Sequence, residues 1–153
     1  MRPLTLRSTA TKLFLAIATV ALCSFDLVPG AASFEVYLNN QSVIKEYLSG
    51  QKEAPTLPLN TSTAKDELSV TFNNCGKIDS GRKISLKDEQ DKILKQWSFS
   101  DSPDIMNKMV IKVSEITSFR QKHSTAKLVY SSREFTTDAH LITLQLANAT
   151  AQN

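Results

Sequence analysis

The chain has 153 residues, with 18 Lys and Arg against 15 Asp and Glu, for a formal net charge of +3. Arg2, Arg7, Lys12 and the single acid Asp26 all fall within residues 1–32, so the charge of residues 33–153 drops to +1. A near-neutral domain lacks the concentrated cations that neutralise several phosphates at once, which removes the electrostatic case for nucleic acid.

The first element is an export leader. Arg2, Arg7 and Lys12 precede the apolar run Leu13 to Cys23, the charged region and hydrophobic core of a secretory signal peptide. The run is about eleven residues against the roughly twenty needed to cross a bilayer as a helix, so no transmembrane anchor is expected after cleavage. Small residues at Gly30 and Ala32 place the cut before Ser33, giving a signal peptide over 1–32 and one domain over 33–153. Cys23 ends the run where a lipid-accepting cysteine would stand, but Leu22 before it is larger than such sites accept, so lipid anchoring through Cys23 is the minor reading. The mature domain is expected to be periplasmic or secreted. Without Cys23, Cys75 is the only thiol; no intramolecular disulfide can form, and the fold rests on its core.

The mature chain opens with Phe34, Val36 and Leu38 in one parity, then Asn39-Asn40, then a second apolar stretch to Leu48. Asn tolerates positive φ, so the pattern predicts two strands joined by a tight hairpin. A short helix over Val43 to Leu48 is the rival, disfavoured by the β-branched Val43-Ile44 pair. Gly50 to Asp66 is rich in Pro, Ser, Thr and Lys and reads as a long loop. Leu68, Val70 and Phe72 alternate with Ser69 and Thr71, the clearest strand signal, ending in a turn over Asn73 to Gly76.

Residues 81–99 mix cations, acids and aromatics. Ile84 and Leu86 alternate with Lys83, Ser85 and Lys87; a polar turn Asp88 to Lys92 follows; Ile93, Trp97 and Phe99 then share one face of a second strand. Lys95 shares that parity, so it must lie at an edge, extend its ammonium outward, or mark a bulge. A helix over Asp88 to Trp97 with an Asp91–Lys95 pair competes. Met109, Ile111 and Val113 predict a further strand, Ser114 to Thr125 a polar connector pinned by Ile116 and Phe119, and Ala126 to Ser132 and His140 to Asn148 two more strands. Ile142, Leu144 and Leu146 alternate with Leu141, Thr143 and Gln145 in the last. The tail 148–153 is expected to fray. About eight short strands and no helix indicate an all-β domain, an antiparallel two-sheet sandwich of immunoglobulin-like or related Greek-key topology.

No catalytic, metal or cofactor constellation emerges. Cys75 beside Lys77 could be a reactive thiol, but its base would have to be His123 or His140, neither in a nucleophile motif. The same residues with Met evoke a copper site, yet Cys75 precedes both histidines by many positions, and His140 shares parity with Ile142 and Leu144 as a half-buried structural histidine would. Asp88-Glu89-Gln90-Asp91 lacks a calcium-loop pattern and reads as a solvated turn. Trp97 could stack on a sugar, but its parity with Ile93 and Phe99 assigns it to the core. Asn40, Asn60 and Asn148 stand in glycosylation patterns that matter only in a eukaryotic secretory route. The disulfide-free character favours a bacterial periplasm. The expectation is a non-enzymatic binding or interaction domain of the cell envelope, its partner another envelope protein or a small ligand. A Cys75-centred thiol enzyme or metal protein is one alternative; a carbohydrate- or lipid-binding module using Trp97 or Tyr47 is the other.

Overall fold

Apolar side chains at alternate strand positions face one core, and the strands that carry them form two sheets. The computed structural model describes residues 32–49, 53–59 and 65–146. The expected leader up to residue 31, parts of the expected loop, Asn60, Asn148 and the tail lie outside the described residues. In chain order the elements are β1 (Ser33–Leu38), β2 (Gln41–Tyr47), β3 (Thr56–Pro58), β4 (Glu67–Asn73), β5 (Lys83–Lys87), β6 (Ile93–Ser98), β7 (Met109–Lys112), the short helix α1 (Val113–Thr117), β8 (Thr125–Ser131) and β9 (Ala139–Gln145). One sheet has the order β2-β1-β4-β7 and the other β3-β9-β8-β5-β6. Phe34, Val36, Leu68, Val70, Met109 and Ile111 from the first sheet meet Ile84, Leu86, Leu128, Tyr130, Ile142 and Leu144 from the second in one buried cluster. Each such side chain, fully withdrawn from water, contributes roughly 1.5–3 kcal/mol before the entropy of ordering is subtracted.

The β1–β2 hairpin forms as expected, with Asn39 and Asn40 at φ 52° and 67°. Two consecutive positive φ values give a turn whose twist matches that of its strands. Asn39 is further held to the start of β4: its Nδ2 donates to Asp66 at 2.9 Å and its Oδ1 accepts the Glu67 N–H at 3.0 Å.

Two expectations about elements are corrected. Within the stretch read as a loop, Thr56–Pro58 pairs in parallel with β9, burying Leu57 and, just beyond, Leu59. Pro58 is tolerated because β3 is an edge strand, where a missing N–H breaks no ladder. The strand read through Val113 stops at Lys112, and Val113–Thr117 turns into a helix that buries Val113 and Ile116, three residues apart on one face. Phe119 packs behind it, partly buried.

Three bulges alter the parity deduced from sequence. Val43, Leu94 and Leu141 are extra residues in β2, β6 and β9, because the register jumps across each of them. A one-residue insertion reverses the facing of the strand on one side of it relative to the other. Ile93 therefore pairs with Lys87 on the outer face and is 52% exposed, against its expected place with Trp97. His140 pairs with Val129 rather than joining Ile142 and Leu144, so its half-burial arises on the outer face of the second sheet. Lys95 does occupy an edge strand on the core-facing side, opposite Leu86, and its ammonium reaches out to Glu115 of α1.

Candidate functional site

The outer face of the β2-β1-β4-β7 sheet gathers chemistry that no single segment displays. Register places Tyr47, Ser33 and Asn73 in one row across β2, β1 and β4, and Lys45, Glu35 and Thr71 in the next. A third row runs Ser42, Tyr37, Ser69 and Val110. Between the first two rows lies a shallow cavity of about 220 Å³, lined by residues that include Glu35, Lys45, Tyr47, Thr71, Asn73 and Met106.

Glu35 is the polar centre of this face. Its Oε1 accepts the Ser42 hydroxyl at 2.6 Å, and Lys45 Nζ stands 3.6 Å from Oε2. The Ser42 hydroxyl and then the Tyr37 hydroxyl hold its carboxyl below the usual range, since both bond the charged form. Tyr37 moves the other way: burial and the neighbouring Glu35 raise its phenol, opposed by a bond from Thr71. Lys108 Nζ sits 3.9 Å from the Tyr37 ring centroid and also donates to Asn40 Oδ1 on the hairpin turn. Ser69 and Thr71, beside Tyr37 and Glu35 in the register, are buried although they face away from the core.

The Glu35 carboxylate at the centre of the cavity is thus engaged by its neighbours. Asn73 Oδ1 is likewise taken by the Gly76 N–H at 2.7 Å. Large apolar side chains are exposed beside the cavity. Tyr47 is 61% exposed and Met106 43%. Val43 and Val110 are also exposed at this sheet, whereas the other large exposed apolar side chains, Ile78 and Ile93, lie elsewhere.

The residues singled out from sequence are dispersed. Cys75 is exposed in a turn over Asn74 to Lys77, at φ 54° and followed by Gly76 at 76°. That turn extends β4 at the end where Phe72 stacks on Tyr130, while His123 precedes Thr125 at the opposite end of β8. The length of β8 puts roughly 15–20 Å between the two ends. His140, on the outer face of the second sheet, bonds Ile142 O at 3.1 Å through Nε2, and burial pushes its imidazole below the ordinary value. Among the described residues no three His, Cys, Asp or Glu converge as a metal site would require. Asp88 is buried and spends its Oδ1 on the Gln90 and Lys92 N–H groups, closing the β5–β6 turn. Trp97 is partly buried, packs against the core, and donates its indole N–H to Glu115 at 2.9 Å.

Tyr47 is the one residue of this outer face that sequence reasoning singles out as a binding candidate. Glu35, Lys45 and Met106 escape it; the alternation of Glu35 and Tyr37 with Phe34 and Val36 is a signal for two of the face's polar positions, but nothing local announces Met106. Comparison with protein-family models, curated proteins and solved structures yields no match.

Proposed function

We propose that the chain is an exported, non-enzymatic binding domain of the cell envelope that holds a protein partner on the outer face of the β2-β1-β4-β7 sheet. One observation carries this reading: Tyr47 and Met106, at 61% and 43% exposure, line a depression whose central carboxylate, Glu35, is already held by Ser42 and Lys45. Tyr and Met are enriched where proteins meet, since both offer large contact area and Met adapts its shape. Export is supported by the basic residues and apolar run of the first 32 positions. An immunoglobulin-like Greek key is supported by the path of the chain. It passes from β4 to β5–β6 in the second sheet, back to β7, and over again to β8–β9, with β3 parallel to the last strand.

A second reading, a sugar ring stacked on Tyr47, is favoured by the openness of that ring. It is the weaker of the two, because a sugar needs unspent hydrogen-bonding groups and Glu35, Thr71 and Asn73 have largely spent theirs.

The test is affinity capture from the native envelope fraction with the wild-type chain, Tyr47→Ala/Met106→Ser, and Ile93→Ser as a control on the other sheet. Partners retained by wild type and Ile93→Ser but lost by the double variant support the face; equal capture by all three overturns it. Binding of a glycan panel that Tyr47→Ala abolishes, with protein capture unchanged, selects the sugar reading. Sequencing the amino terminus of the envelope-borne form should read from Ser33.

A further inference from the structure

A second recess lies away from that face, where β5 begins and β8 ends. It encloses about 230 Å³ and is lined by Gly81, Lys83, Ser131, Ser132 and Arg133. Lys83 and Ser131 are direct partners across the β5–β8 ladder, so one wall is fixed by sheet register. The other wall is fixed by a staple. The Arg133 N–H donates to Ser80 O at 3.0 Å, and the Glu134 carboxylate accepts both the Ser80 N–H and the Ser80 hydroxyl at 2.6 Å.

Gly81 is required by this arrangement on two counts. Its φ is +59°, and a Cβ there would lie 3.3 Å from Arg133 Nε and 3.4 Å from Arg133 Cγ. The bare backbone lets the arginine lie across it.

We propose that this recess binds a tetrahedral oxyanion, the phosphate or sulfate group of a small solute or of a lipid headgroup. No carboxylate lines it. The acids near it each hold a partner: Asp79 bonds Tyr130 and Asn74, Glu134 bonds Ser80, and the Asp101 carboxylate accepts the N–H of the lining residue Gly81 at 2.7 Å. Among the described residues neither Lys83 nor Arg133 forms an ion pair. The Ser132 hydroxyl is occupied, accepting the Phe135 N–H and bonding Tyr130. The recess therefore offers the Lys83 ammonium, the Arg133 guanidinium and the Ser131 hydroxyl, three donor groups, while the neighbouring carboxylates Glu134 and Asp101 already accept hydrogen bonds from Ser80 and Gly81. A guanidinium fork with an ammonium beside it suits the geometry of an oxyanion. The volume falls below the roughly 300–1,000 Å³ of drug-sized ligand pockets, so an anionic group fits and a whole bulky ligand does not.

The test uses the full chain, isotope-labelled, at low ionic strength, since exposed cations are screened by salt. Inorganic phosphate is titrated while amide resonances are followed, with sulfate as competitor. Saturable shifts confined to Gly81, Lys83 and Ser131 to Arg133, at least tenfold weaker in Lys83→Ala/Arg133→Ala and restored towards wild type when Lys83 is kept beside Arg133→Lys, support the site. An absence of saturable shifts there, or equal affinity in the double variant, overturns it. A parallel arm measures sedimentation with phosphatidylglycerol and with phosphatidylcholine vesicles. With the phosphate shifts present, anionic-vesicle binding that the double variant loses assigns the lipid headgroup, and no difference between chain and variant assigns a soluble anion. Vesicle binding without the phosphate shifts overturns the site.

Discussion

The Tyr130 hydroxyl donates a 2.6 Å hydrogen bond to the carboxylate of Asp79, a residue 51 positions earlier and only 7% exposed. Asn74 Nδ2 satisfies the other carboxylate oxygen at 2.8 Å, and the Tyr130 ring stacks on Phe72 with centroids 3.9 Å apart. Burial and the Asp79 bond both push the Tyr130 phenol well up, so it is a permanent donor. One strand from each sheet and the β4–β5 connection are locked together at this end. Tyr130→Phe removes only the hydroxyl and leaves a buried acceptor short of a partner, so stability should fall by about 1–3 kcal/mol. Chemical denaturation measures it; a change within a few tenths of a kcal/mol would show that the bond ties nothing down.

Acid should weaken the fold through the outer-face carboxylate. Glu35 has its pKa depressed in the folded chain from an ordinary 4.5, by Ser42 first and Tyr37 next. The stability this supplies is complete above the unfolded value and is lost as pH falls through the lower folded one. Asp91, Glu115 and Glu134 are depressed as well and act with the same sign. The denaturation midpoint should therefore fall below about pH 4.5, and Glu35→Gln should flatten that fall. A variant whose acid profile overlays the wild type would remove Glu35 from the account.

The hairpin turn makes a demand on residue type. Asn40 sits at φ 67°, where a residue with an ordinary Cβ costs roughly 1–2 kcal/mol. Asn40→Ala should lower stability by about 1 kcal/mol, while Asn40→Gly should cost less, Gly being free to adopt positive φ. Equal losses would shift the explanation to the Lys108 bond that both variants lack.

Trp97 is the only tryptophan, so fluorescence reports its contact with Glu115 directly. Glu115→Ala deletes that acceptor and the ion pair with Lys95, whose two side chains are both partly exposed. Emission should move to longer wavelength as water takes the indole N–H, while the denaturation midpoint should barely move, as is usual when a solvated pair is removed. An unmoved spectrum would mean the indole does not depend on Glu115.

The legible parts of the fold are those where apolar residues alternate with polar ones or form a short β-rich run. Phe34 and Val36, Leu68 to Phe72, Ile84 and Leu86, and Ala126 to Tyr130 declare their strands unaided, and Asn39-Asn40 declares its turn. The site is legible only at Tyr47. Its neighbours Glu35, Thr71 and Met106 come from segments far apart in the chain, and each alone is an ordinary polar or flexible residue.

Local pattern by itself determined that the chain is mostly β, where its longer strands lie, and where its main hairpins turn, because the alternation of apolar residues and the positive-φ turns are written in neighbouring residues. Tertiary structure alone decided that β3 joins β9 in parallel, that Val113 begins a helix, and that bulges at Val43, Leu94 and Leu141 send Ile93 and His140 outward. Those outcomes depend on which strand lies alongside and how the two sheets twist over their shared core, and such cross-chain geometry leaves no local mark.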